Sequence, residues 1–298
     1  MAADKMRTMV VDAVPETEVV LADRGPVWIR HHPGPPDRPT VLLLHGWTAT
    51  ADLNWGTSYQ ALARRGGVIA LDHRGHGRGL RGHTFTLEAC ADDAADVVRA
   101  LGVERVVVVG YSMGGTVAQL IAHRHPDLTA GLVLAATAAT FSDDPRERAM
   151  FAALAGITQV ARVMPADLRA AAARRIVAAR SGIDIEDIPD ERRHDWLNIA
   201  EAGTELGRFD SRRWLHEVSV PTANLVTVND YVISMGRQLE LAEHADPIEI
   251  IPVHGTHRVP INVPTRFVPR LVHAIDVVAD RQANIAATSS AATRTTSP

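Results

Sequence analysis

The sequence predicts an α/β protein with a mostly parallel β-sheet that is flanked by helices and interrupted by an inserted helical cap. Two observations lead to this fold class. Short, continuously apolar runs alternate with stretches of helical periodicity in both halves of the chain, as expected for parallel strands covered on both faces. From residue 141 to 215 the strand pattern disappears, and Ala-, Arg- and Leu-rich helical sequence takes its place. One sheet interrupted by a cap explains both observations.

Eight segments have the composition of strands. In chain order they are residues 17–21, 27–31, 41–44, 68–71, 106–109, 132–134, 222–228 and 248–253. The first two flank the turn Asp23-Arg24-Gly25-Pro26, which is typical of an antiparallel hairpin. Helical stretches separate most of the later runs, which therefore predict parallel strands joined by crossover helices.

The helix with the clearest limits covers residues 87–101. Its apolar residues recur at helical spacing after Thr86, a suitable N-cap, and before Gly102, a typical stop. Further helices are predicted around residues 236–243 and over residues 264–279. Within the cap, the helical pattern is interrupted at Pro165 and Pro189.

These elements divide the chain into three parts. Residues 15–140 and 216–281 form the predicted α/β-type core, and residues 141–215 form the helical cap, or lid. The tail of residues 282–298 consists mostly of Ala, Ser, Thr and Arg. Because it offers almost nothing apolar to bury, we expect this tail to be disordered.

The composition narrows the classes of function. The 298 residues have a formal net charge of −4 and no long run of like charges, which argues against binding of nucleic acid or of a membrane surface. Residues 1–14 lack an apolar segment of signal-peptide length, and no stretch has the length of a membrane span, so we expect a soluble, cytoplasmic protein. The expected partner is a small molecule, and the oligomeric state is left open. Cys90, the single cysteine, excludes an intrachain disulfide and is expected to be a buried, inert thiol.

The strongest chemical signal is Gly110-Tyr111-Ser112-Met113-Gly114-Gly115, between a four-valine strand and a helical run. A Gly-x-Ser-x-Gly at a strand-to-helix junction forms a sharp turn whose small residues avoid clashes and whose serine hydroxyl is exposed. Ser112 is therefore predicted to be a nucleophile.

Four segments together resemble the α/β-hydrolase superfamily, from about residue 17 to about residue 280. They are His45-Gly46-Trp47 after the third strand, Asp72-His73-Arg74-Gly75-His76-Gly77 after the fourth, the Ser112 turn after the fifth, and Gly255-Thr256-His257 near the end. The resemblance implies the α/β-hydrolase fold with a mostly parallel eight-stranded sheet. It also implies a serine-dependent activity of the esterase, lactonase or perhydrolase type.

A serine hydroxyl is a weak nucleophile at neutral pH, so it needs a histidine base that an acid orients. The chain has 14 histidines, so position must decide among them. The resemblance implies that His257 is the base, because the family has Gly-x-His or Gly-His at this place. His254, which ends the last strand three residues earlier, is the alternative.

For the acid, the resemblance implies Asp230, which follows the strand 222–228. The family commonly has a glycine two or three residues before this Asp, whereas this chain has Thr227 and Val228 there. Some relatives place the acid after the sixth strand, which would select Asp143 or Asp144. Either of these residues could instead cap the first helix of the lid.

Acyl transfer also needs hydrogen-bond donors for the developing oxyanion. The resemblance implies the backbone N–H groups of Trp47 and Met113 for this role. The side chains of Trp47 and Tyr111 are predicted to contact substrate, although Trp47 could simply pack against the lid. His45 is expected to support the loop of Trp47 rather than to transfer protons.

Residues 72–77 contain one Asp and two His within a short segment, and such residues can be ligands of a metal ion. They resemble the family's Asp-x-Arg-Gly-x-Gly turn, which is structural, and the cluster lacks a complete set of ligands. We therefore expect neither a metal nor a cofactor. Gly79 stands where relatives often have serine.

The cap contains polar and apolar candidates for substrate contacts. Five of its arginines are expected to form a solvated helix face rather than an anion site; they are Arg174, Arg175, Arg180, Arg192 and Arg193. Several apolar residues at helical spacing could line an acyl pocket or form the seam between lid and core; they are Met150, Phe151, Leu154, Ile157, Val160 and Met164.

The function predicted from these features is hydrolysis of a small, largely apolar ester through an acyl-enzyme. Alternatives on the same three residues are a cofactor-free perhydrolase and a hydrolase of carbon–carbon bonds. Because fold does not determine function, a ligand-binding protein with a slow or vestigial set of the same residues is a further alternative.

Overall fold

The computed structural model describes residues 13–165, 167–169, 171–172, 175 and 194–295. These residues form one eight-stranded sheet in the order β1-β2-β4-β3-β5-β6-β7-β8. The strands are β1 (Glu16–Leu21), β2 (Gly25–His32), β3 (Thr40–Leu44), β4 (Gly67–Leu71), β5 (Val106–Tyr111), β6 (Thr129–Ala135), β7 (Thr222–Thr227) and β8 (Glu249–Val253). β1 and β2 pair antiparallel, as do β2 and β4, and every other pair is parallel. The predicted strands and their directions are confirmed.

Helices cover both faces of this sheet. They are α1 (Ala51–Trp55), α2 (Tyr59–Ala63), α3 (Leu87–Ala100), α4 (Met113–Arg124), α5 (Pro145–Val163), α6 (Trp196–Arg208), α7 (Met235–Ala245), α8 (Val259–Asn262) and α9 (Pro264–Thr295), with a short 3₁₀ helix at Leu215–Glu217. The predicted cap of α3 is also confirmed: Thr86 accepts a hydrogen bond from the N–H of Ala89, and Gly102 has a positive φ of 69°.

The continuous apolar runs have a simple physical cause. Successive side chains of a strand point to opposite faces of a sheet. In β3, Leu42 and Leu44 pack in the cluster that includes α3 and α4, whereas Val41 and Leu43 pack with α1, α2 and α9. Both faces are buried, so no polar alternation is possible along the central strands.

Within the cap region, α5 packs closely against α6 at two glycines of α6, Gly203 and Gly207. A Cβ added at Gly203 would approach Leu154 to 2.4 Å, and one at Gly207 would approach Phe151 to 2.5 Å. α5 ends just before Pro165, as predicted. Pro189 lies outside the described residues.

The C-terminal segment differs from the prediction. Disorder was expected from residue 282, but α9 continues through Thr295. Residues 283–292 contain five alanines, and alanine has the highest helix propensity. Extending an existing helix avoids the cost of nucleation, so this segment forms a helix although its sequence offers little apolar surface. Among the described residues, no helix has both the length and the apolar character that crossing a membrane requires.

Candidate active site

Three loops at the carboxyl edge of the sheet bring Ser112, Asp230 and His257 together. They follow β5, β7 and β8, and the carboxyl ends of parallel strands meet at one edge. His257 Nε2 lies 3.0 Å from Ser112 Oγ, and His257 Nδ1 lies 2.7 Å from Asp230 Oδ2. The three side chains therefore form a continuous hydrogen-bonded chain.

The backbone at Ser112 is strained. Its φ is 54° and its ψ is −121°, values that a non-glycine residue adopts only when its surroundings enforce them. A Cβ at Gly110 would lie 2.2 Å from the carbonyl oxygen of Gly114, and a Cβ at Gly114 would lie 2.1 Å from that of Leu44. Only glycine fits at both positions, so the turn holds the serine at the start of α4.

The Asp230 carboxylate is fully hydrogen-bonded. Oδ1 accepts the N–H groups of Val232, at 2.8 Å, and Ile233, at 2.9 Å. Oδ2 accepts from the hydroxyl of Thr227 and from His257, both at 2.7 Å. Burial alone would raise the pKa of Asp230, but the bond and charge of His257, with the bonds from Thr227 and Ile233, outweigh it and hold the pKa below its ordinary value.

An ionised Asp230 also determines the tautomer of His257. A carboxylate only accepts, so Nδ1 of His257 carries the proton and donates it. Nε2 then has a free lone pair that faces the hydroxyl of Ser112. This is the arrangement in which an imidazole can take a proton from a serine.

Tyr111 directly precedes Ser112. Its side chain is 3% exposed and packs edge-on against the rings of Trp55 and Phe267. Its hydroxyl donates to the carbonyl oxygen of His257 at 2.9 Å. As the last residue of β5, Tyr111 packs in the core and braces the His257 loop, and its contact with substrate stays a prediction.

The loop of Gly46 and Trp47 lies directly against Ser112. A Cβ at Gly46 would be 3.3 Å from Cβ of Ser112, and Asn54 Oδ1 accepts the N–H of Gly46 at 3.0 Å. Among the described residues, the backbone N–H groups of Trp47 and Met113 have no hydrogen-bond acceptor. Their role as oxyanion donors stays a prediction.

The side chain of Trp47 connects this loop to the lid. Its Nε1–H donates to the carbonyl oxygen of Ile199 in α6 at 2.9 Å. Its ring approaches so closely that a Cβ at Gly203 would be 2.7 Å away. Trp47 thus packs against the lid, one of the two predicted roles, at a place beside the nucleophile.

The alternative acids lie elsewhere. Asp144 is the N-cap of α5 and accepts the N–H groups of Arg146 and Glu147. Asp143 forms an ion pair with Arg212 at 2.9 Å. The structure therefore brings only Asp230, among the three candidates, to His257.

The alternative base does not reach the serine either. His254 is exposed and lines a groove of about 740 Å³ on the outer surface, with Arg266 and Arg270 among its walls. Neither Ser112 nor His257 is among the residues that line this groove.

A second group of histidines lies near this edge. We call His45, His73, His76 and His194 the histidine cluster, because their rings contact one another at centroid distances of 4.4–6.4 Å. His45 Nε2 accepts the N–H of His73 at 2.9 Å, so its Nδ1 carries the proton and donates to the carbonyl of Gly46 at 2.8 Å. His45 thus supports the Trp47 loop.

Burial keeps the histidine cluster neutral. It lowers the pKa of His45 and of His194 to about 4, and burial together with the neighbouring rings holds the pKa of His73 and of His76 well below the ordinary value for histidine. The charge of Asp72 raises the pKa of His194, but burial outweighs it, and the Asp72 carboxylate also accepts the backbone N–H groups of Ala51 and Arg78. Among the described residues, no group of three or more His, Cys, Asp or Glu has metal-binding geometry.

The rest of the turn after β4 is also structural. Arg74 forms a two-pronged ion pair with Asp93 of α3, at 2.7 and 2.8 Å, and donates to the carbonyl of Thr84 at 2.9 Å. Gly79 is packed against the backbone of residues 72 and 73, where an added Cβ would be 2.2 Å from the carbonyl oxygen of His73. Serine would not fit there. Cys90 is buried in α3, and burial raises the pKa of its thiol.

The lid candidates separate into two groups. Phe151 is half-buried against the core, and Leu154 lies on the side that faces α6. Met150, Ile157 and Val160 are more than half exposed, so they form neither an acyl pocket nor a seam within the described residues. Of the five cap arginines considered for an anion site, Arg175 is exposed, and the other four lie outside the described residues.

The prediction from sequence missed two residues behind Asp230. In the sequence, Thr227 stands out only as a departure from the family's glycine, and no pattern marks Gln238 of α7. Gln238 accepts the N–H of Thr227 at 2.8 Å and donates to the carbonyl of Ile233 at 2.7 Å. A hydroxyl in place of a glycine, three residues before the acid, is the one signal that could have indicated this contact.

Several known proteins are similar to this chain. A family model described as alpha/beta hydrolase fold matches residues 39–169. The putative carbamate hydrolase RutD of Caulobacter sp. (strain K31) is 41% identical over 106 residues, which cover 35% of this chain and 39% of that relative's length. The RutD of Rhizobium rhizogenes is 27% identical over 241 residues, which cover 78% of this chain and 90% of the relative.

Among solved structures, a thermophilic esterase from Thermogutta terrifontis with bound malate is similar. It has 25% identity and a TM-score of 0.66, and the match covers 89% of this chain and 99% of the esterase. The likeness therefore extends over most of the length of both chains.

Proposed function

Because the chain belongs to the α/β-hydrolase superfamily, we propose that it is a serine hydrolase that cleaves a small, largely apolar ester through an acyl-enzyme intermediate. The observation that carries the proposal is the hydrogen-bonded chain from Ser112 through His257 to Asp230. A buried, charged acid, an oriented imidazole and a strained serine in contact are the groups that nucleophilic acyl transfer requires.

Acylation proceeds in two steps. Nε2 of His257 takes the proton of Ser112 while Oγ attacks the ester carbonyl, and the N–H groups of Trp47 and Met113 donate to the oxyanion. The tetrahedral intermediate collapses with cleavage of the ester bond to the alcohol oxygen. His257 gives its proton to that oxygen, so the alcohol leaves neutral.

Deacylation repeats the sequence with water. His257 removes a proton from water, the hydroxide attacks the acyl-enzyme, and Oγ of Ser112 leaves and recovers the proton. Asp230 stays ionised throughout, since its four hydrogen bonds and the adjacent imidazole favour the charged form. All steps use protein groups and water.

The similarity to RutD supports a second candidate within the same chemistry. The Rhizobium relative, which matches most of its length, is named a putative carbamate hydrolase. A carbamate carbonyl accepts the same attack and the same oxyanion donors, and the resulting carbamoyl-enzyme is released by water. Among the described residues, the Ser112 hydroxyl bonds to His257, and a neutral substrate of either class is compatible with this contact.

The test is labelling of Ser112 by a fluorophosphonate, followed by hydrolysis assays. We expect stoichiometric labelling of the native protein, none of Ser112→Ala, and full labelling of Ser142→Ala, a control whose hydroxyl bonds to the carbonyl of Gly207 in the lid. p-Nitrophenyl esters from acetate to octanoate and p-nitrophenyl N-methylcarbamate then distinguish the two substrate classes.

Each outcome has a clear meaning. Absence of labelling in the folded protein would contradict the proposal and favour a ligand-binding protein. Activity only toward charged esters would contradict the apolar substrate class. A perhydrolase and a carbon–carbon hydrolase on the same residues remain predictions from the sequence.

A further inference from the structure

Gln238 clamps both ends of the loop that carries Asp230. Its Oε1 accepts the N–H of Thr227, before the loop, and its Nε2 donates to the carbonyl of Ile233, after it. Gln238 is 2% exposed and Thr227 is 1% exposed, so water does not compete for these bonds. The Gln238 amide has an N–H donor, from Thr227, on one side and a carbonyl acceptor, from Ile233, on the other. Only one orientation of its oxygen and nitrogen satisfies both groups.

This orientation determines where the hydroxyl proton of Thr227 points. Nε2 of Gln238 also donates to Oγ1 of Thr227 at 2.9 Å, so the hydroxyl is an acceptor toward Gln238. Two acceptors remain for its one proton: Oδ2 of Asp230 at 2.7 Å and Oε1 of Gln238 at 3.2 Å. The Asp230 oxygen is the closer acceptor and belongs to a charged carboxylate, which accepts a stronger hydrogen bond than a neutral amide oxygen, so the proton goes to Asp230.

The receiving atom is the one that matters for the imidazole. Oδ2 of Asp230 is also the acceptor of Nδ1–H of His257, whereas Oδ1 is held by two backbone N–H groups. Without Thr227, Oδ2 would have no protein partner besides His257, and the plane of the carboxylate would be fixed at one oxygen only. The hydroxyl thus fixes the oxygen against which His257 is aligned.

We propose that Thr227, oriented by Gln238, is a positioning residue that holds Oδ2 of Asp230 in line with Nδ1 of His257. The inference rests on the proposed function. Neither residue touches Ser112 or the position of a substrate, so both act through Asp230 and His257. Because the alignment matters most when the imidazole becomes charged, its loss should lower kcat rather than raise KM.

The experiment compares Thr227→Val with Thr222→Val. Both change a buried threonine of β7 to an isosteric valine, but the hydroxyl of Thr222 donates to the carbonyl of Val220, away from the site. For Thr227→Val we expect kcat for a p-nitrophenyl ester to fall about 10- to 100-fold, with KM changed less than about twofold. Thr222→Val should keep the kcat of the native protein.

Rescue and coupling sharpen this result. Thr227→Ser keeps the hydroxyl and should recover kcat to within about threefold of the native value. Gln238→Met should lower kcat in the native background but add little to Thr227→Val, because the two residues act through one hydrogen bond. If Thr227 had only a structural role, Thr227→Val and Thr222→Val would lower the melting temperature by similar amounts. The kcat of each variant would then fall only as much as its folded fraction falls.

A readout independent of catalysis separates this inference from the proposed function. The Nδ1 proton of His257 should give a downfield ¹H NMR resonance that Thr227→Val shifts or broadens and Thr222→Val leaves in place. If the native protein is inactive and unlabelled, the proposed function fails while the NMR comparison can still be read. If the protein is active and Thr227→Val matches Thr222→Val in kcat and in this resonance, the inference is overturned.

Discussion

Two groups of histidines lie at the same edge of the sheet, and they have opposite surroundings. His257 has a carboxylate oxygen at 2.7 Å and a partly exposed ring. In the histidine cluster, the nearest carboxylate contact joins Asp72 and His45 at 4.0 Å, and that carboxylate is bonded to backbone N–H groups. The same side chain therefore has the surroundings that a base needs beside Asp230 and is a neutral packing element beside other imidazoles.

This difference shows that the number of histidines carries no information about catalysis. A base needs a partner that stabilises its charged form and a second nitrogen that reaches the nucleophile. His257 has both, whereas Nδ1 and Nε2 of His73 lack any hydrogen-bond partner among the described residues. Burial without a charge partner keeps the imidazole neutral.

Asp230→Asn tests the acid side of this comparison and should have the largest effect. The amide would favour the wrong tautomer of His257, so kcat should fall by about four orders of magnitude. The matched control is Asp144→Asn, which removes one negative charge at the cap of α5 and keeps a capping side chain. Steady-state kinetics with a p-nitrophenyl ester measure both variants, and equal activity of the two would contradict the placement of the acid at Asp230.

Acid should destabilise the protein through the histidine cluster. The pKa of His45 is about 4 in the fold against 6.5 when unfolded, so the unfolded state binds more protons between these values. Stability is then complete above about pH 6.5 and falls as the pH drops toward 4, by on the order of 3 kcal/mol from His45 alone.

Urea unfolding at pH 7, 6, 5 and 4 measures this loss. His194→Gln removes one member of the cluster, whose pKa is also about 4, and should give a shallower decline. His273→Gln, a change at an exposed histidine that pairs with Glu249, should keep the slope of the native protein. A free energy of unfolding that stays constant from pH 7 to pH 4 would show that the cluster is not held neutral.

Trp47→Phe tests the Trp47 loop, which connects the histidine cluster to the surroundings of Ser112. Of the changes considered, this one should have the smallest effect on activity and stability. The variant keeps an aromatic ring and loses the hydrogen bond from Nε1 to the carbonyl of Ile199, which should cost about 1 kcal/mol of stability. KM should rise modestly, because the loop beside Ser112 is no longer tied to α6. Trp214→Phe, a change at a ring that packs on His123 and Phe209, is the control and should leave KM unchanged.

Much of the fold was predictable because its determinants are local. The valine runs of the central strands, the Thr86 cap of α3 and the glycines around Ser112 depend on neighbours within a few residues. The prediction failed where two local tendencies compete. The tail after residue 282 has too little apolar surface to pack, yet its alanines extend α9.

The sequence by itself determined the sheet, the helices around it and the turn that presents Ser112. These features depend on backbone geometry and on the spacing of apolar residues, which are properties of short segments. Only the tertiary structure decided that Asp230 rather than Asp143 or Asp144 meets His257. It also placed Tyr111 in the core, and Thr227 and Gln238 behind the acid. The physical reason is that these contacts join loops and helices whose relative positions follow from packing of the whole sheet, and no short segment encodes them.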